Sequence, residues 1–188
     1  MKRFPLMTPL WAFCLLLLPG CGGIPEGITP ITNFELHRYL GQWYEVARLD
    51  HSFERGLSNV TASYNLRTDG GVEVINRGYN LEKQSWREAR GKAYFVREPT
   101  VGQLKVSFFG PFYGGYNIIA LDQRDYSYAL VCGPNLRYLW ILARTPRLSP
   151  AALQMLLAKA RQLGFATDEL IYPKHDRIPP NPNQTGPR

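Results

Sequence analysis

Cysteine is scarce in this chain, which has three in 188 residues. Cys14 lies in an apolar stretch near the start and Cys21 follows it closely, so Cys132 is the single cysteine in the rest of the chain. A domain built from that remainder has no second thiol for an internal disulfide, even in an oxidising compartment. Its stability must come from a packed core, which the 45% apolar and 13% aromatic composition supports.

Long apolar runs and clusters of basic residues are also missing. The stretch 10–18 has about half of the ~20 residues that a membrane-spanning helix needs, and Pro9 and Pro19 bracket it. The formal net charge is +7, but lysine and arginine are scattered singly along the chain. This distribution argues against a nucleic-acid partner and indicates a mild attraction to anionic lipid headgroups.

Sequence motifs for catalysis or metal binding are lacking as well. No serine lies in a Gly-x-Ser-x-Gly elbow, and there is no glycine-rich phosphate loop. His37, His51 and His175 do not have the paired spacing of a metal site. We therefore predict no metal, no cofactor and no enzymatic activity, although a catalytic triad that assembles only in space leaves no motif.

The start of the chain has the layout of a secretory signal. A basic segment, residues 1–3, precedes the apolar stretch, and Leu18-Pro-Gly-Cys21 resembles the lipobox of bacterial lipoproteins. This resemblance implies a signal peptide over residues 1–20, cleavage before Cys21 and acylation of its thiol. The alternative is an ordinary signal peptide in which Cys21 is incidental.

Residues 21–33 are rich in glycine and proline, which predicts a lipidated N-terminus followed by a spacer. Glycine rather than aspartate follows Cys21, a feature that implies sorting to the outer membrane by the rule known for enteric bacteria. After the spacer, residues 33–41 predict one or two helical turns, with Asn33 as the N-cap and Gly41 as the stop.

The middle of the chain predicts an all-β domain. Short segments rich in valine, isoleucine, tyrosine and phenylalanine alternate with turn signals about every ten residues. Eight antiparallel strands in simple succession can close into an up-and-down barrel with room for one small ligand. The predicted strands are 43–49, 60–66, 72–79, 86–96, 104–109, 116–121, 126–132 and 138–143.

A C-terminal helix is predicted to follow the barrel and to pack on its outside. Ser149 is the expected N-cap, Pro150 occupies the first helical position and Gly164 is the stop, while leucines recur at helical spacing between them. We place the globular domain at residues 34–173. A flexible, proline-rich tail is predicted over residues 174–188.

Gly41-Gln-Trp43, near the start of the first predicted strand, is similar to the Gly-x-Trp motif of lipocalins. Arg144, at the end of the eighth strand, is the second element of this resemblance. In lipocalins such an arginine lies across the tryptophan and closes one end of the barrel through a cation–π contact. The resemblance therefore assigns barrel closure to Trp43 and Arg144.

Longer segments resemble one branch of the family, the bacterial lipocalins, which are outer-membrane lipoproteins related to apolipoprotein D. The similar segments are 39–48, 50–56, 106–117 and 138–146. This resemblance implies storage or transport of fatty acids or lysophospholipids by a protein anchored in the outer membrane and facing the periplasm. A homodimer is compatible with it.

Candidate ligand-binding residues follow from strand alternation. If Arg144 points into the closed end, Leu142, Trp140 and Tyr138 share its face and offer a large apolar lining for an acyl chain. Two segments are expected at the opening: 108–115, between strands, and the loop 50–58. The candidates in them are Phe112, Tyr113, Phe53 and Arg55, the last as a phosphate ligand.

Other interpretations of these residues stay open. Trp140 and Tyr138 can simply fill the barrel, Phe112 and Tyr113 can pack within their own loop, and arginines in loops are usually solvated. Cys132 is expected to be a small buried apolar residue, with reactivity or cross-linking of a dimer as the alternative. For the whole protein, the alternatives to a lipid carrier are a hydrolase of envelope lipid and a structural lipoprotein with a filled barrel.

Overall fold

A computed structural model describes residues 23–179 of the chain. The predicted signal peptide, Cys21 and the residues after 179 lie outside the described part. Eight strands, each antiparallel to its neighbours, form a closed barrel, as predicted from the sequence. They are Gly41–Arg48 (β1), Leu57–Leu66 (β2), Val72–Asn80 (β3), Ser85–Phe95 (β4), Gln103–Phe109 (β5), Phe112–Leu121 (β6), Tyr128–Cys132 (β7) and Leu139–Ala143 (β8).

The barrel closes because β1 pairs with both β2 and β8. Tyr44 lies opposite Thr61 on one side and Ala143 on the other. The β1–β8 register shifts between Glu45 and Ala47, an irregularity of the kind that increases local bending. Closure leaves no unpaired sheet edge, so every strand has two hydrogen-bonded neighbours.

Two α-helices accompany the barrel in residues 23–179, Leu36–Tyr39 (α1) before β1 and Pro150–Gln162 (α2) after β8, and a short 3₁₀ helix, Thr167–Glu169, follows α2. The backbone N–H of Ala152 donates to Ser149 Oγ at 3.3 Å, so Ser149 caps α2 as predicted. Leu156 and Ala160 of α2 are buried in an apolar cluster with residues on the outer surface of the barrel, including Ile141. A second apolar cluster, around Trp43, fills part of the interior. Within residues 23–179, no helix is long and apolar enough to cross a membrane.

The two ends of the barrel differ. Strand β1 begins at the end where α1 lies, and there β8 ends with Arg144 next in the chain. The opposite end, which we call the mouth, is formed by the loops 49–56, 81–84, 110–111 and 133–138. Because the whole hydrogen-bonded barrel and both apolar clusters lie within residues 23–179, this part of the chain has its own core and folds as a unit.

The segment predicted as a spacer packs on the barrel from Gly23 onward. Asn117 Nδ2 donates to the carbonyl oxygen of Gly23 at 2.7 Å, and Ile31 N donates to the carbonyl oxygen of Ile118 at 2.9 Å. Ile28 is buried at 8% exposure. Residues 23–33 therefore pack on the barrel, because Ile24, Ile28 and Ile31 lie against its apolar clusters.

Two of the expected local structures at the start of the domain also differ. Asn33 has a left-handed backbone with φ of 55° and does not cap α1, which starts after Glu35 without a side-chain cap. Gly41 has φ of 91° and begins β1. The chain therefore turns sharply at Gly41, where a glycine is the favoured residue.

The start of the predicted tail is held to the barrel. Asn59 N donates to the carbonyl oxygen of Lys174 at 2.7 Å, and Asn59 Oδ1 accepts a hydrogen bond from Arg177 N at 2.8 Å. The Arg177 guanidinium lies 4.3 Å from the centre of the Tyr79 ring. The buried Asn59 thus binds the segment 174–177 at both of its ends. The folded part of the chain therefore extends beyond the predicted boundary at residue 173 and includes at least Arg177.

Candidate functional site

The closed end of the barrel is built around Trp43, whose side chain is fully buried. The Arg144 guanidinium carbon lies 4.0 Å from the centre of the Trp43 ring, which is a cation–π geometry. Arg144 also donates to the carbonyl oxygens of Gln42 at 2.9 Å and Arg38 at 2.7 Å. Trp43 Nε1 donates to the carbonyl oxygen of Tyr39 at 2.7 Å. These contacts tie the first turn of the domain to the end of β8.

Three tyrosines cross the interior above this closure, the buried Tyr39 and Tyr64 and the half-buried Tyr116. The Tyr116 hydroxyl lies 2.7 Å from the hydroxyl of Tyr39 and 2.7 Å from that of Tyr64. Burial raises the pKa of all three hydroxyl groups, so they stay neutral and serve as hydrogen-bonding groups. They form a polar bridge inside an otherwise apolar space.

Two cavities adjoin this bridge. A deep cavity of about 20 Å³ lies beside Phe34 and Tyr39, and an upper cavity of about 90 Å³ opens toward the mouth. They share part of their walls, including Tyr64 and Tyr116. The upper cavity is of the same order as the engineered apolar cavities of about 150 Å³ that bind benzene. The interior therefore suits a slim apolar group.

Three of the residues predicted to bind ligand line the upper cavity: Leu142, Trp140 and Phe53. Tyr138 precedes β8 and lies beside the lining, with its ring centre 6.2 Å from that of Trp140. Phe53 is 55% exposed, so it sits where the cavity meets solvent.

The other three candidates lie outside the cavity. Strands β5 and β6 continue almost to their tip, so the segment expected between strands is a tight hairpin closed by Gly110 and Pro111. Phe112 is 78% exposed and Tyr113 39% exposed at this tip. Arg55 is also exposed and its Nε donates to Asp50 Oδ2 at 3.0 Å, so the guanidinium already has an anionic partner.

The sequence reasoning missed several lining residues, of which Glu45, Thr61, Tyr64, Asn76 and Tyr116 carry polar groups. Glu45 stands two positions after Trp43, so strand alternation predicts that both side chains point inward. Composition does not predict a carboxyl group in the wall of a largely apolar cavity, because buried glutamates are rare unless they are paired.

Glu45 belongs to a buried polar cluster with Arg48, His51, Glu54 and Trp140. Arg48 Nη1 donates to Glu45 Oε1 at 2.5 Å, and Trp140 Nε1 donates to Glu54 Oε2 at 3.1 Å. The Glu54 carboxyl group is near enough to that of Glu45 to affect its ionisation, and Glu54 Oε2 lies 3.2 Å from His51 Nε2. Glu45 and Arg48 are 2% exposed, and His51 and Glu54 are 6% exposed.

The electrostatics of this cluster are set mainly by burial. Burial raises the pKa of Glu45 and of Glu54, and the nearby Glu54 carboxyl group raises that of Glu45 further. Burial and the nearby Arg48 guanidinium lower the pKa of His51 to about 4, so its imidazole is neutral at pH 7. At neutral pH the net charge of the cluster therefore depends on the carboxyl groups of Glu45 and Glu54 and on the guanidinium of Arg48.

Cys132, the third cysteine of the sequence, is not part of this polar cluster. It is fully buried in the apolar cluster beneath α2, and burial raises the pKa of its thiol to about 12. The prediction of a small buried apolar residue is confirmed, because a thiol without thiolate character and without solvent contact is inert.

Comparison with known proteins identifies the class. A family model described as a lipocalin-like domain matches residues 34–175, and the chain belongs to the lipocalin family. Lipocalins bind small hydrophobic ligands and are generally not enzymes. The crystal structure of the cockroach allergen Per a 4 has the same fold, with a TM-score of 0.65 at 18% identity over 81% of this chain and 95% of the allergen.

Within that family the chain is a bacterial lipocalin. It is 58% identical to the outer membrane lipoprotein Blc of Vibrio cholerae over 159 aligned residues. The alignment covers 85% of this chain and 93% of the relative. It is 53% identical over 172 residues to the outer membrane lipoprotein Blc of Escherichia coli, at 92% and 97% coverage.

Proposed function

We propose that this lipocalin binds the acyl chain of fatty acids or lysophospholipids and stores or carries these lipids in the cell envelope. The observation that carries the proposal is the apolar space between the tyrosine bridge and the mouth, with Leu142, Trp140 and Phe53 in its wall. A narrow cavity with largely apolar walls favours an acyl chain, because each methylene group that is buried contributes about 0.8 kcal/mol to the free energy of binding. The family's general preference for small hydrophobic ligands supports the same conclusion.

The proposed location is the outer membrane, with Cys21 acylated and the barrel in the periplasm. The names of the bacterial relatives support the membrane, and the lipobox-like segment supports the anchor. The path of the N-terminal segment adds an orientation. Asn117 Nδ2 binds the carbonyl oxygens of both Gly23 and Gly133, and Gly133 belongs to a mouth loop.

Cys21 therefore precedes a residue that lies near the mouth, with only one residue between them. An anchor at this point keeps the mouth close to the membrane that supplies or receives the lipid. Such a tether raises the effective concentration of the encounter without any new contact. Several acyl chains on one cysteine hold a protein on a membrane far more firmly than one chain does.

Replacing Cys21 by serine tests the anchor. We expect Cys21→Ser to lose metabolic palmitate labelling and the membrane-bound fraction, because the thiol is the proposed acylation site. Cys132→Ser is the matched control and should label like the natural protein, since Cys132 is buried. Labelling that survives in Cys21→Ser contradicts the anchor and leaves the lipid site untouched.

Replacing Trp140 by alanine tests the lipid site. We expect Trp140→Ala to weaken lysophospholipid binding by about tenfold, because a half-buried aromatic wall of the upper cavity is lost, a change of about 1.4 kcal/mol. Native mass spectrometry of residues 22–188 with added lysophospholipid measures the bound fraction. Trp86→Ala is the control, because Trp86 packs on Tyr79 on β3 and is absent from the cavity wall.

The same spectra separate the alternatives. Retained intact lipid supports a carrier, whereas released fatty acid supports a hydrolase. A protein that forms no lipid complex supports a structural lipoprotein with a filled barrel. Equal affinity of Trp140→Ala and the natural chain shows that the acyl chain does not contact this wall.

A further inference from the structure

We propose that the tip of the β5–β6 hairpin, residues 109–112, inserts into the surface of a lipid bilayer and holds the mouth of the barrel against it. The partner of this surface is the bilayer itself rather than one lipid molecule inside the cavity. The inference rests on the proposed function in one respect, because the proposed anchor at Cys21 brings the tip to the membrane.

Two phenylalanine rings are exposed at the tip. Phe109 is 82% exposed and Phe112 is 78% exposed. The two residues lie directly opposite each other in the β5–β6 pair, so their side chains are on the same face of the hairpin. The space around Gly110, in the turn between them, is open. The protein therefore leaves both rings uncovered.

Each of the other three mouth loops adds an exposed apolar side chain. These are Phe53 in the loop 49–56, Leu81 in the loop 81–84 and Leu136 in the loop 133–138. Exposed apolar groups that gather at one end of a folded protein indicate an interaction surface. Their presence in every loop of the mouth favours a broad apolar medium, such as a bilayer, over a small partner.

The hairpin can leave water without burying a charge. Residues 106–121 include no lysine, arginine, aspartate or glutamate. Charged side chains are costly in the apolar part of a bilayer, and their absence removes this cost. Pro111 has no N–H group, so the turn has one backbone donor fewer to separate from water.

The exposed charges of the mouth loops nearly balance. Arg55 binds Asp50, while Lys83 and Arg137 stand against Glu82. Apolar contact is therefore the main contribution to the proposed binding. We expect it to depend little on anionic lipid or on salt.

A tyrosine and a lysine lie next to the tip on the outside of the hairpin. Tyr113 follows Phe112, and Lys105 Nζ lies 5.1 Å from the centre of the Tyr113 ring. Both side chains combine an apolar body with a polar end, which is typical of residues at the boundary between headgroups and acyl chains. They indicate the level at which the hairpin meets the headgroups.

The N-terminal segment crosses the hairpin at this same level. Asn117 Nδ2 donates to the carbonyl oxygen of Gly23 at 2.7 Å, and a methyl group at Gly115 would overlap that oxygen. Lys105 lies opposite Gly115 in the β5–β6 pair. Phe112 is three residues further toward the mouth, a distance of about 8 Å along the barrel axis for a strand tilted by about 40°. Interfacial helices bury their apolar faces to a similar depth, about 5–10 Å.

Cys21 lies outside the described residues, two positions before Gly23. Two residues span at most about 7 Å, so an acylated Cys21 starts close to the level of Gly23. The anchor and the tip therefore reach the same membrane. Phe108 of this hairpin belongs to the wall of the upper cavity, so insertion places the cavity beside the acyl chains of the bilayer.

Vesicles test the contact on residues 22–188, which contain the complete folded unit and lack Cys21. We expect the natural domain to float with vesicles of phosphatidylethanolamine and phosphatidylcholine. The double variant Phe109→Ser/Phe112→Ser should lower the partition coefficient by at least about tenfold. Leu66→Ser/Val96→Ser is the matched control, because it changes two exposed apolar residues at the closed end, and should change the coefficient by less than about twofold. Thermal unfolding checks that both variants are folded.

A fluorescent label locates the inserted residue. Cys132 is buried, so Phe112→Cys supplies the accessible thiol in residues 22–188. When vesicles are added, we expect a polarity-sensitive dye at this position to shift its emission to the blue. Lipids with a nitroxide near the top of the acyl chain should quench it. The same dye attached through Leu66→Cys should show neither response.

The outcomes separate insertion from other uses of the tip. Absence of vesicle binding by the natural domain, or binding that persists in Phe109→Ser/Phe112→Ser, overturns the proposal. Self-association that this variant abolishes without a change in vesicle binding overturns it as well and makes the tip an interface between two copies of the chain.

The proposed function is tested separately. Phe109 and Phe112 are absent from the cavity wall, so Phe109→Ser/Phe112→Ser should bind lysophospholipid like the natural domain in native mass spectrometry. Failure of both to bind lysophospholipid overturns lipid storage but leaves the vesicle result standing. Palmitate labelling of Cys21→Ser tests the anchor independently of both.

Discussion

Replacing Trp43 by alanine should lower the free energy of unfolding by about 3–5 kcal/mol, the range for removal of a buried tryptophan or phenylalanine. The side chain is fully buried and its ring carries the Arg144 guanidinium at 4.0 Å. Trp43 Nε1 also donates a hydrogen bond to the carbonyl oxygen of Tyr39 at 2.7 Å. Loss of the ring therefore opens a cavity and leaves a partly buried cation without its aromatic partner.

Urea denaturation followed by circular dichroism measures this loss. Trp86→Ala is the matched control, because Trp86 is half-buried on the outside of β4 and makes one aromatic contact, with Tyr79. We expect the control to lose no more than about 1.5 kcal/mol, the upper value for an aromatic pair. Similar losses for the two tryptophans would show that the closed end does not depend on Trp43.

Replacing Arg48 by methionine should cost about 3–5 kcal/mol of unfolding free energy, the range for removing one partner of a buried ion pair. Arg48 is 2% exposed and donates to Glu45 Oε1 at 2.5 Å and to the carbonyl oxygen of Glu54 at 3.0 Å. Methionine fills much of the space but supplies no charge and no donor. The buried carboxyl pair is then left without a cation.

The pH dependence of this loss has a definite sign. Burial already raises the pKa of Glu45 and Glu54, so their protonated forms favour the folded state at low pH and this stabilisation is lost as the pH rises. Without Arg48 the effect becomes larger. We therefore expect the loss in Arg48→Met to be smaller at about pH 5 than at about pH 7.

An exposed ion pair provides the control for Arg48. Arg55 binds Asp50 through its Nε at 3.0 Å, but the arginine side chain is 66% exposed. Arg55→Met should cost much less than Arg48→Met, because water and salt screen such pairs. A loss in Arg48→Met as small as this, or one independent of pH, would show that the buried pair does not need its cation.

Predictions from the sequence were best where one residue type has one structural use. Ser149 and Pro150 start α2 as predicted, and the spacing of turn signals gives eight strands that close into a barrel. The motif at Trp43 and Arg144 comes together although the two residues are far apart in the chain. Local patterns and a pairwise motif carry this information, so it is readable from one sequence.

Predictions were weakest where an exposed or unstructured segment was inferred from composition. The glycine- and proline-rich residues 23–33 pack on β6, and Asn59 holds residues 174–177. Amino-acid composition indicates only the conformational preference that a segment has in isolation. Whether a groove or a buried asparagine is available to bind it depends on distant strands, which have no trace in the segment itself.

The class of this protein is readable from one amino-acid sequence, because its alternating strands, its turn positions and its Gly-x-Trp motif are typical of a lipocalin barrel. Which side chains meet inside the barrel is visible only in the folded structure. Glu45 on β1 and Glu54 in the next loop are brought together by Arg48, which donates to the carboxyl group of Glu45 and to the carbonyl oxygen of Glu54. Alternation predicts the face of one residue, but contact between two depends on the closed geometry of all eight strands.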